Sequence, residues 1–235
     1  MLAAFAALLF AHVLADFVFQ TNGMAATKRQ PLTLGKHGAV VLATAAAATG
    51  SLSPWLLALT FAHLAIDLVK SLSGRTDIWA FLLDQAAHLA TLVALAYLAP
   101  DLAMLWQPWP VAASVMALLA GAVLATRAGG FAVGILMEPW TASAPPGLPG
   151  GGRTIGNLER GLIFLLILTG QAQSIGFLIA AKSVLRFGSI SNEKEVSEYV
   201  IIGTLASFSW AIAASFATIV MLNHLPALGI PDLLP

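Results

Sequence analysis

The chain has 235 residues, of which 59% are hydrophobic and 9% charged, and its mean hydropathy is +0.88. Because a soluble domain carries about 25% charged residues, this composition excludes a soluble globular enzyme, and its apolar content excludes a disordered chain. The eleven basic and eleven acidic residues cancel, which argues against nucleic acid as a partner. The sequence has no Cys, which excludes disulfides and thiolate metal ligands.

Eight apolar runs predict an all-α, polytopic transmembrane bundle of about seven to eight spans. The runs cover residues 2–20, 36–50, 54–70, 80–98, 110–137, 156–169, 173–187 and 197–222. The first run lacks a basic leader and has Asp16 where a signal-peptide cleavage site would lie, so we expect a retained first span. The sixth and seventh runs are short, and they are either two tight spans or one re-entrant helical hairpin.

A Pro- and Gly-rich stretch, PWTASAPPGLPGGG, predicts a linker at residues 139–152. We expect it to separate an N-terminal transmembrane unit (1–138) from a C-terminal transmembrane unit (153–235). All eleven basic residues fall at matching ends of the predicted spans. The positive-inside rule therefore places these loops in the cytoplasm and the N-terminus outside.

The N-terminal unit contains a duplicated two-helix segment, with copies at 1–50 and 51–99. LFAHVLADFVF (9–19) matches TFAHLAIDLVK (60–70) at an offset of 51, and the same offset relates His37 to His88. Each copy therefore reads His-x3-Asp followed by a second His. Because each copy holds two spans, the copies are predicted to share one orientation in the membrane.

The spacing of the repeat predicts a shared polar cluster. Residues four apart lie on one helix face, which brings His12 beside Asp16 and His63 beside Asp67, with Gln20 extending the first face. Asp84 and His88 form a reversed pair on the fourth span. All of these residues are predicted to lie in the cytoplasmic half of the bundle.

Buried carboxylates need partners, because an ionised Asp at the bilayer centre costs roughly 2.5–3.5 kcal/mol. Imidazole and carboxylate are suitable ligands for Zn, Fe or Mn, and helix-bundle cores hold such sites. The alternatives are a structural network, in which Asp67 pairs with Lys70 and Asp16 with Lys36, and a proton or ion pathway.

In the C-terminal unit, charged residues lie at both ends of a predicted hairpin. Glu159 and Arg160 lie at one end, and Lys182 and Arg186 lie at the other. They predict either an ion-pair lock, in which Glu159 meets Lys182 or Arg186, or a pocket for an anionic phospholipid head group or phosphorylated substrate.

The segments HVLADFVFQ, FAHLAIDLVK, LLDQAAH, IGNLERGLIFLLILTGQAQSIGFLIAAKSVLRF and EYVIIGTLASF together resemble a bacterial integral-membrane family catalogued as domain of unknown function 3307. The resemblance implies a bacterial inner-membrane location. The matching polar positions are His12, Asp16, Gln20, His63, Asp67, Lys70, Asp84, Gln85 and His88. A looser similarity runs to membrane-bound metal-dependent hydrolases, although their His-rich signature is not reproduced here.

Three functions follow as hypotheses. The first is a metal-dependent hydrolase of a lipid-like or anionic substrate; the second is an ion-coupled carrier; the third is a non-catalytic scaffold. For the hydrolase we expect the catalytic residues Asp16 and Asp67, the metal ligands His12, His37, His63, His88 and Asp84, and the substrate-binding residues Gln20, Lys70, Gln85, Glu159, Arg160, Lys182 and Arg186. We expect a divalent metal as cofactor, and membrane lipids with either a second copy or another membrane protein as partners.

Overall fold

The computed structural model describes residues 1–106, 108–144, 147–187 and 194–228, with side chains except at 103–104 and 185–187. The described residues are helical and contain no strand, which confirms the predicted all-α class. In the first half the helices are α1 (Leu2–Leu14, continued by a π-helical turn Ala15–Phe19), α2 (Asn22–Ala26), α3 (Pro31–Thr49), α4 (Pro54–Ser73), α5 (Ile78–Leu98) and a 3₁₀ segment (Pro100–Trp106). The later elements are α6 (Val111–Val123, continued by a π-helical turn Leu124–Ala128), α7 (Gly129–Met137, continued by a 3₁₀ segment Glu138–Ser143), α8 (Gly151–Leu168), α9 (Ser174–Phe187) and α10 (Lys194–Leu222).

Five helical stretches in the described part are apolar and long enough to cross a membrane. They are Leu2–Phe19, Pro54–Ser73, Ile78–Leu98, Val111–Ser143 and Lys194–Leu222. Length and composition therefore agree with a polytopic membrane protein. The predicted runs at 36–50, 156–169 and 173–187 are also helical, and their crossing of the membrane stays a prediction, as does the orientation.

The chain divides into two compact units, which are described one at a time. Unit 1 comprises Met1–Val123 with Met221–Leu228, and unit 2 comprises Leu124–Val220 with residues 229–235, the last of which lie outside the described part. This division falls within the run that the sequence places at 110–137. The proposed linker at 139–152 includes a 3₁₀ segment, and its role as a domain boundary stays a prediction.

Helix α1 is the centre of unit 1, where it packs against α3, α5 and α6. Its core side chains are mostly small: Ala4, Ala6, Ala7 and Ala11 are almost fully buried, together with Leu8. In a membrane bundle, small residues let neighbouring backbones approach closely, so packing rather than the hydrophobic effect holds the helices together. Side chains of α1, α3 and α5 can therefore come close together, and α4 joins them by packing against α3 and α5.

The ends of α3, α4 and α5 are fixed by local signals. Helix α3 ends at Gly50, which has φ +62° and lies against the side chain of Leu105, so a Cβ there would meet both backbone strain and a steric clash. Helix α4 starts after the capping Ser53 and has Pro54 in its first turn. Helix α5 starts after Asp77, whose carboxylate accepts from the amides of Trp79 and Ala80. These ends set which residues of α4 and α5 face α1.

In unit 2, α8 contributes the buried side chains Ile163, Phe164 and Ile167. The indole of Trp210 on α10 donates to the carbonyl of Leu124 at 2.8 Å, where the π-helical turn exposes backbone acceptors. Gly129 follows this turn, and a Cβ there would lie 2.5 Å from Cδ1 of Trp210 and 2.9 Å from Cδ of Arg160. Glycine at this position is therefore required by close packing.

Candidate metal centre

Four helices of unit 1 bring seven titratable side chains into one buried cluster. His12 lies on α1, Asp16 in the π-helical turn, His37 on α3, His63 and Asp67 on α4, and Asp84 and His88 on α5. Each of these residues is at most 9% exposed, and His37, His63, Asp67 and His88 are at most 2% exposed. We call these seven residues the His/Asp cluster. The structure thus brings together every residue predicted as catalytic or metal-binding.

The first copy of the repeat uses a π-helical turn to place its carboxylate. Residues Ala15–Phe19 form this turn, which contains Asp16, whereas Asp67 lies within the regular helix α4. The wider π turn is common at functional sites, and here it forms the last turn of the helix before Gln20. In the structure, Oδ2 of Asp16 lies 3.9 Å from Nδ1 of His12, and Oδ1 turns toward the other histidines.

The centre of the cluster is the pair His37 and His63, whose Nε2 atoms lie 3.0 Å apart. Oδ1 of Asp16 lies 3.4 Å from Nε2 of His37 and 3.2 Å from Nε2 of His63. Oδ2 of Asp67 lies 3.2 Å and 3.7 Å from the same two nitrogens. Each carboxylate therefore contacts both imidazoles.

These separations suit ligands of one metal ion. Two ligand atoms that lie 2.0–2.2 Å from a tetrahedral Zn²⁺ are about 3.3–3.6 Å apart, and the five distances above range from 3.0 to 3.7 Å. Oδ1 of Asp16 and Oδ2 of Asp67 are buried and have no regular hydrogen bond. Because an unsatisfied buried acceptor costs about 1–3 kcal/mol, a cation among these atoms would be stabilising.

The remaining members of the cluster lie beside this pair. The imidazole of His88 lies 4.2 Å from that of His63 between ring centroids, and it stacks on His12 at 5.1 Å. His12, Asp16 and His63 form one set able to hold a metal ion, His37, His63 and Asp67 form a second, and Asp67, Asp84 and His88 form a third. The shared members show that the three sets are parts of one site.

Two lysines neutralise part of the carboxylate charge. Nζ of Lys28 donates to Oδ1 of Asp67 at 2.7 Å, and Nζ of Lys70 donates to Oδ2 of Asp84 at 2.9 Å. The pairing of Asp67 with Lys70 that the structural-network alternative expects is therefore wrong, since each lysine takes a different aspartate. Sequence reasoning missed Lys28 as a site residue, because a lysine in a loop between spans is explained by the positive-inside rule alone.

Three of the residues predicted to bind substrate lie against this cluster. Gln20 places its amide nitrogen 3.3 Å from the ring nitrogens of His37. Gln85 donates to Oδ2 of Asp84 at 3.0 Å and places its carbonyl oxygen 3.4 Å from Nε2 of His12. Lys70 is about one-third exposed and lies over the ring of Phe81. Their role in binding substrate stays a prediction.

The other residues predicted to bind substrate belong to unit 2. Nζ of Lys182 donates to Oε2 of Glu159 at 2.7 Å, which agrees with the predicted ion-pair lock. Arg160 is buried and donates to the carbonyl of Thr126, the hydroxyl of Ser207 and the side-chain oxygen of Asn157. The side chain of Arg186 lies outside the described residues. The hydrogen bonds of Arg160 therefore connect three segments of unit 2.

Comparison with known proteins gives a family match for the part of the chain that contains the His/Asp cluster. No curated protein and no solved structure matches the chain. Residues 4–117 match the model of a family described as "Protein of unknown function (DUF3307)", and this range contains all seven members of the His/Asp cluster. The match confirms the resemblance to the DUF3307 family over residues 4–117.

Proposed function

We propose that unit 1 binds a divalent transition metal through the His/Asp cluster and uses it to hydrolyse a lipid-like or anionic substrate. One observation supports this proposal above the others. The Nε2 atoms of His37 and His63 lie close to one oxygen of Asp16 and one oxygen of Asp67. His12 lies within reach of the same ion, because it forms a potential metal set with Asp16 and His63.

The donor set favours Zn²⁺, Fe²⁺ or Mn²⁺. Imidazole and carboxylate ligands suit these ions, and the absence of Cys from the sequence makes a thiolate-selective metal unfavourable. A bound ion of this kind polarises a substrate carbonyl or phosphoryl oxygen and lowers the pKa of water toward 7. Hydrolysis is therefore the chemistry proposed for the site.

The chain's own residues supply the remaining functions. Asp16 accepts a proton through Oδ2, the oxygen turned away from His37 and His63, because the corresponding oxygen of Asp67 is held by Lys28. Lys70, which is partly exposed and linked to Asp84, supplies positive charge at the edge of the cluster for an anionic substrate. In unit 2, Arg160, Lys182 and Arg186 are proposed to supply positive charge for an anionic head group, with Glu159 positioning Lys182.

A structural role is the second candidate, and the lysine pairs favour it. Lys28 and Lys70 each satisfy one oxygen of a buried aspartate, so part of the cluster is stable as a polar network between helices. An ion-coupled carrier is the remaining alternative, for which intramembrane acids are also expected. In both alternatives, protonated Nε2 atoms of His37 and His63 would donate to the oxygens of Asp16 and Asp67 that lie 3.2–3.4 Å away, in place of a metal ion.

Elemental analysis of the detergent-purified full chain tests the proposal. We expect at least one bound Zn, Fe or Mn ion per chain in the wild type, loss of that ion in His63→Ala, and full retention in His224→Ala, a change at an exposed histidine. Wild-type protein that is folded, unaffected by addition of these metals and free of metal would overturn the proposal in favour of the structural role.

A further inference from the structure

Asp84 and His88 have ligand atoms that the first ion does not require. A catalytic ion commonly has three protein ligands and one open position, and His37, His63, Asp16 and Asp67 are enough to supply them. Yet Oδ1 of Asp84 and Nε2 of His88 are also buried and without a hydrogen-bond partner among the described residues. Unpartnered buried polar atoms are rare in native structures, so these two atoms need an explanation.

The hydrogen bonding of His88 is that of a metal ligand. Nδ1 of His88 lies 2.8 Å from the carbonyl oxygen of Asp84. A carbonyl oxygen only accepts, so Nδ1 carries the proton and Nε2 presents a lone pair. Metal-binding histidines are oriented in this way, with the second ring nitrogen donating to a carbonyl or carboxylate. His88 is 1% exposed, so this lone pair is shielded from water.

The carboxylate of Asp84 is oriented in a similar manner. Its Oδ2 accepts from Lys70 at 2.9 Å and from Gln85 at 3.0 Å, which leaves Oδ1 free. Asp67 shows a similar division, with Oδ1 on Lys28 and Oδ2 turned toward His37 and His63. In both aspartates one oxygen is held by an ammonium group, and the other is available to an ion inside the cluster.

Asp84 and His88 lie next to the first ion's ligands. Asp67, Asp84 and His88 form a set in which each residue offers a ligand atom within 4.8 Å of the others. Asp67 also belongs to the set of His37 and His63, and the rings of His63 and His88 are 4.2 Å apart between centroids. Two metal ions about 3.5–4 Å apart commonly share a carboxylate in hydrolytic sites.

We propose that the cluster is a two-metal site, in which Asp84 Oδ1 and His88 Nε2 hold a second divalent cation and Asp67 is shared between the two ions. This inference rests on the proposed metal binding and adds a second ion to it. Two ions are suited to clamping the attacking and leaving oxygens of a phosphoester, so the substrate class becomes a phosphoester.

Metal stoichiometry separates the two proposals. Full-length protein in detergent is stripped with a chelator and titrated with Mn²⁺, and bound metal is measured after removal of free metal. We expect two ions per chain in the wild type and in Asp101→Asn, a matched change at an exposed aspartate. We expect one ion per chain in Asp84→Asn and in His88→Ala.

Electron paramagnetic resonance supplies a readout independent of activity and of yield. The Mn²⁺-loaded wild type should show the signal of two exchange-coupled ions, and Asp84→Asn should show that of one isolated ion. Asp84→Asn keeps the shape of the side chain, so it remains informative even if His88→Ala does not fold. Saturation of the wild type at one ion would overturn the second site and leave the first intact, whereas no bound ion would overturn both.

Discussion

The Nε2 atoms of His37 and His63 lie 3.0 Å apart, although the residues come from different helices and are separated by 26 positions. Two imidazole nitrogens at this distance require either one shared proton or a cation that both bind. Each nitrogen also contacts an oxygen of Asp16 and an oxygen of Asp67. The competition between proton and metal at this pair gives the first prediction.

Acidification should release the metal. Bound metal requires both imidazoles unprotonated, because each Nε2 atom must offer its lone pair to the ion. Protons compete with the ion for these lone pairs, so the apparent affinity should fall as the pH is lowered. Equilibrium dialysis against Zn²⁺ at about pH 7.5 and about pH 5 measures this effect. Equal retention at the two pH values would contradict ligation by His37 and His63.

Lys28→Met should strengthen metal binding. The ammonium of Lys28 lies 2.7 Å from Oδ1 of Asp67, and its charge opposes a cation held by the same carboxylate. Removing it should tighten Mn²⁺ binding by about 10-fold, which is 1.4 kcal/mol. It should also lower the thermal stability of the metal-free protein, because Asp67 then loses its counter-charge.

Lys36→Met is the matched control for Lys28→Met, since Lys36 is exposed and precedes the ligand His37 directly. Binding isotherms and thermal unfolding in detergent are compared for both variants with and without Mn²⁺. Weaker metal binding in Lys28→Met, or an equal change in Lys36→Met, would show that the ammonium does not act on the cluster.

Gly129→Ala should destabilise unit 2. The added Cβ would lie 2.5 Å from Cδ1 of Trp210 and 2.9 Å from Cδ of Arg160, so the indole has to move. Overpacking of this kind costs about 1–3 kcal/mol. Gly134→Ala, in the same helix, meets nothing within 4 Å and should retain wild-type stability. Thermal unfolding in detergent compares the two, and equal melting temperatures would contradict the close packing at Gly129.

Asp77 should stay ionised to low pH. The hydrogen bonds from Arg75, followed by that from the Ala80 amide, lower the pKa of Asp77 from 3.8 to about 2. Because the folded-state pKa is lowered, the capping carboxylate stabilises α5 fully above pH 3.8, and this contribution is lost as the pH falls through about 2. The ¹³C shift of its carboxyl carbon measures the pKa. Arg75→Gln should raise the pKa toward 3.8, and an unchanged pKa would show that Arg75 is not its main partner.

Most residues of the cluster could be identified from the sequence because His and Asp recur there at regular spacings. His-x3-Asp places two side chains on one helix face, and the offset of 51 repeats the pattern with the second histidines. The apolar surroundings left few other partners for these groups. The all-α class followed from the length and hydropathy of the runs.

Other parts of the site depend on tertiary structure that no local pattern encodes. The partner of Asp67 is Lys28, which lies 39 positions away in a loop, and spacing within one helix favours Lys70 instead. The hydrogen bond between Gln85 and His12, which are 73 positions apart, forms only when α1 and α5 are packed. The π-helical turn at Asp16 also has no counterpart at Asp67, although the two sequences match closely.

That turn makes the two halves of the duplication unequal. In the first copy the π turn is the last turn of the helix, because the chain becomes extended at Gln20. Asp16 therefore lies at a helix end, whereas Asp67 lies inside α4, which continues to Ser73. A change in the chain between α1 and α3 would therefore shift one carboxylate of the centre and leave the other in place.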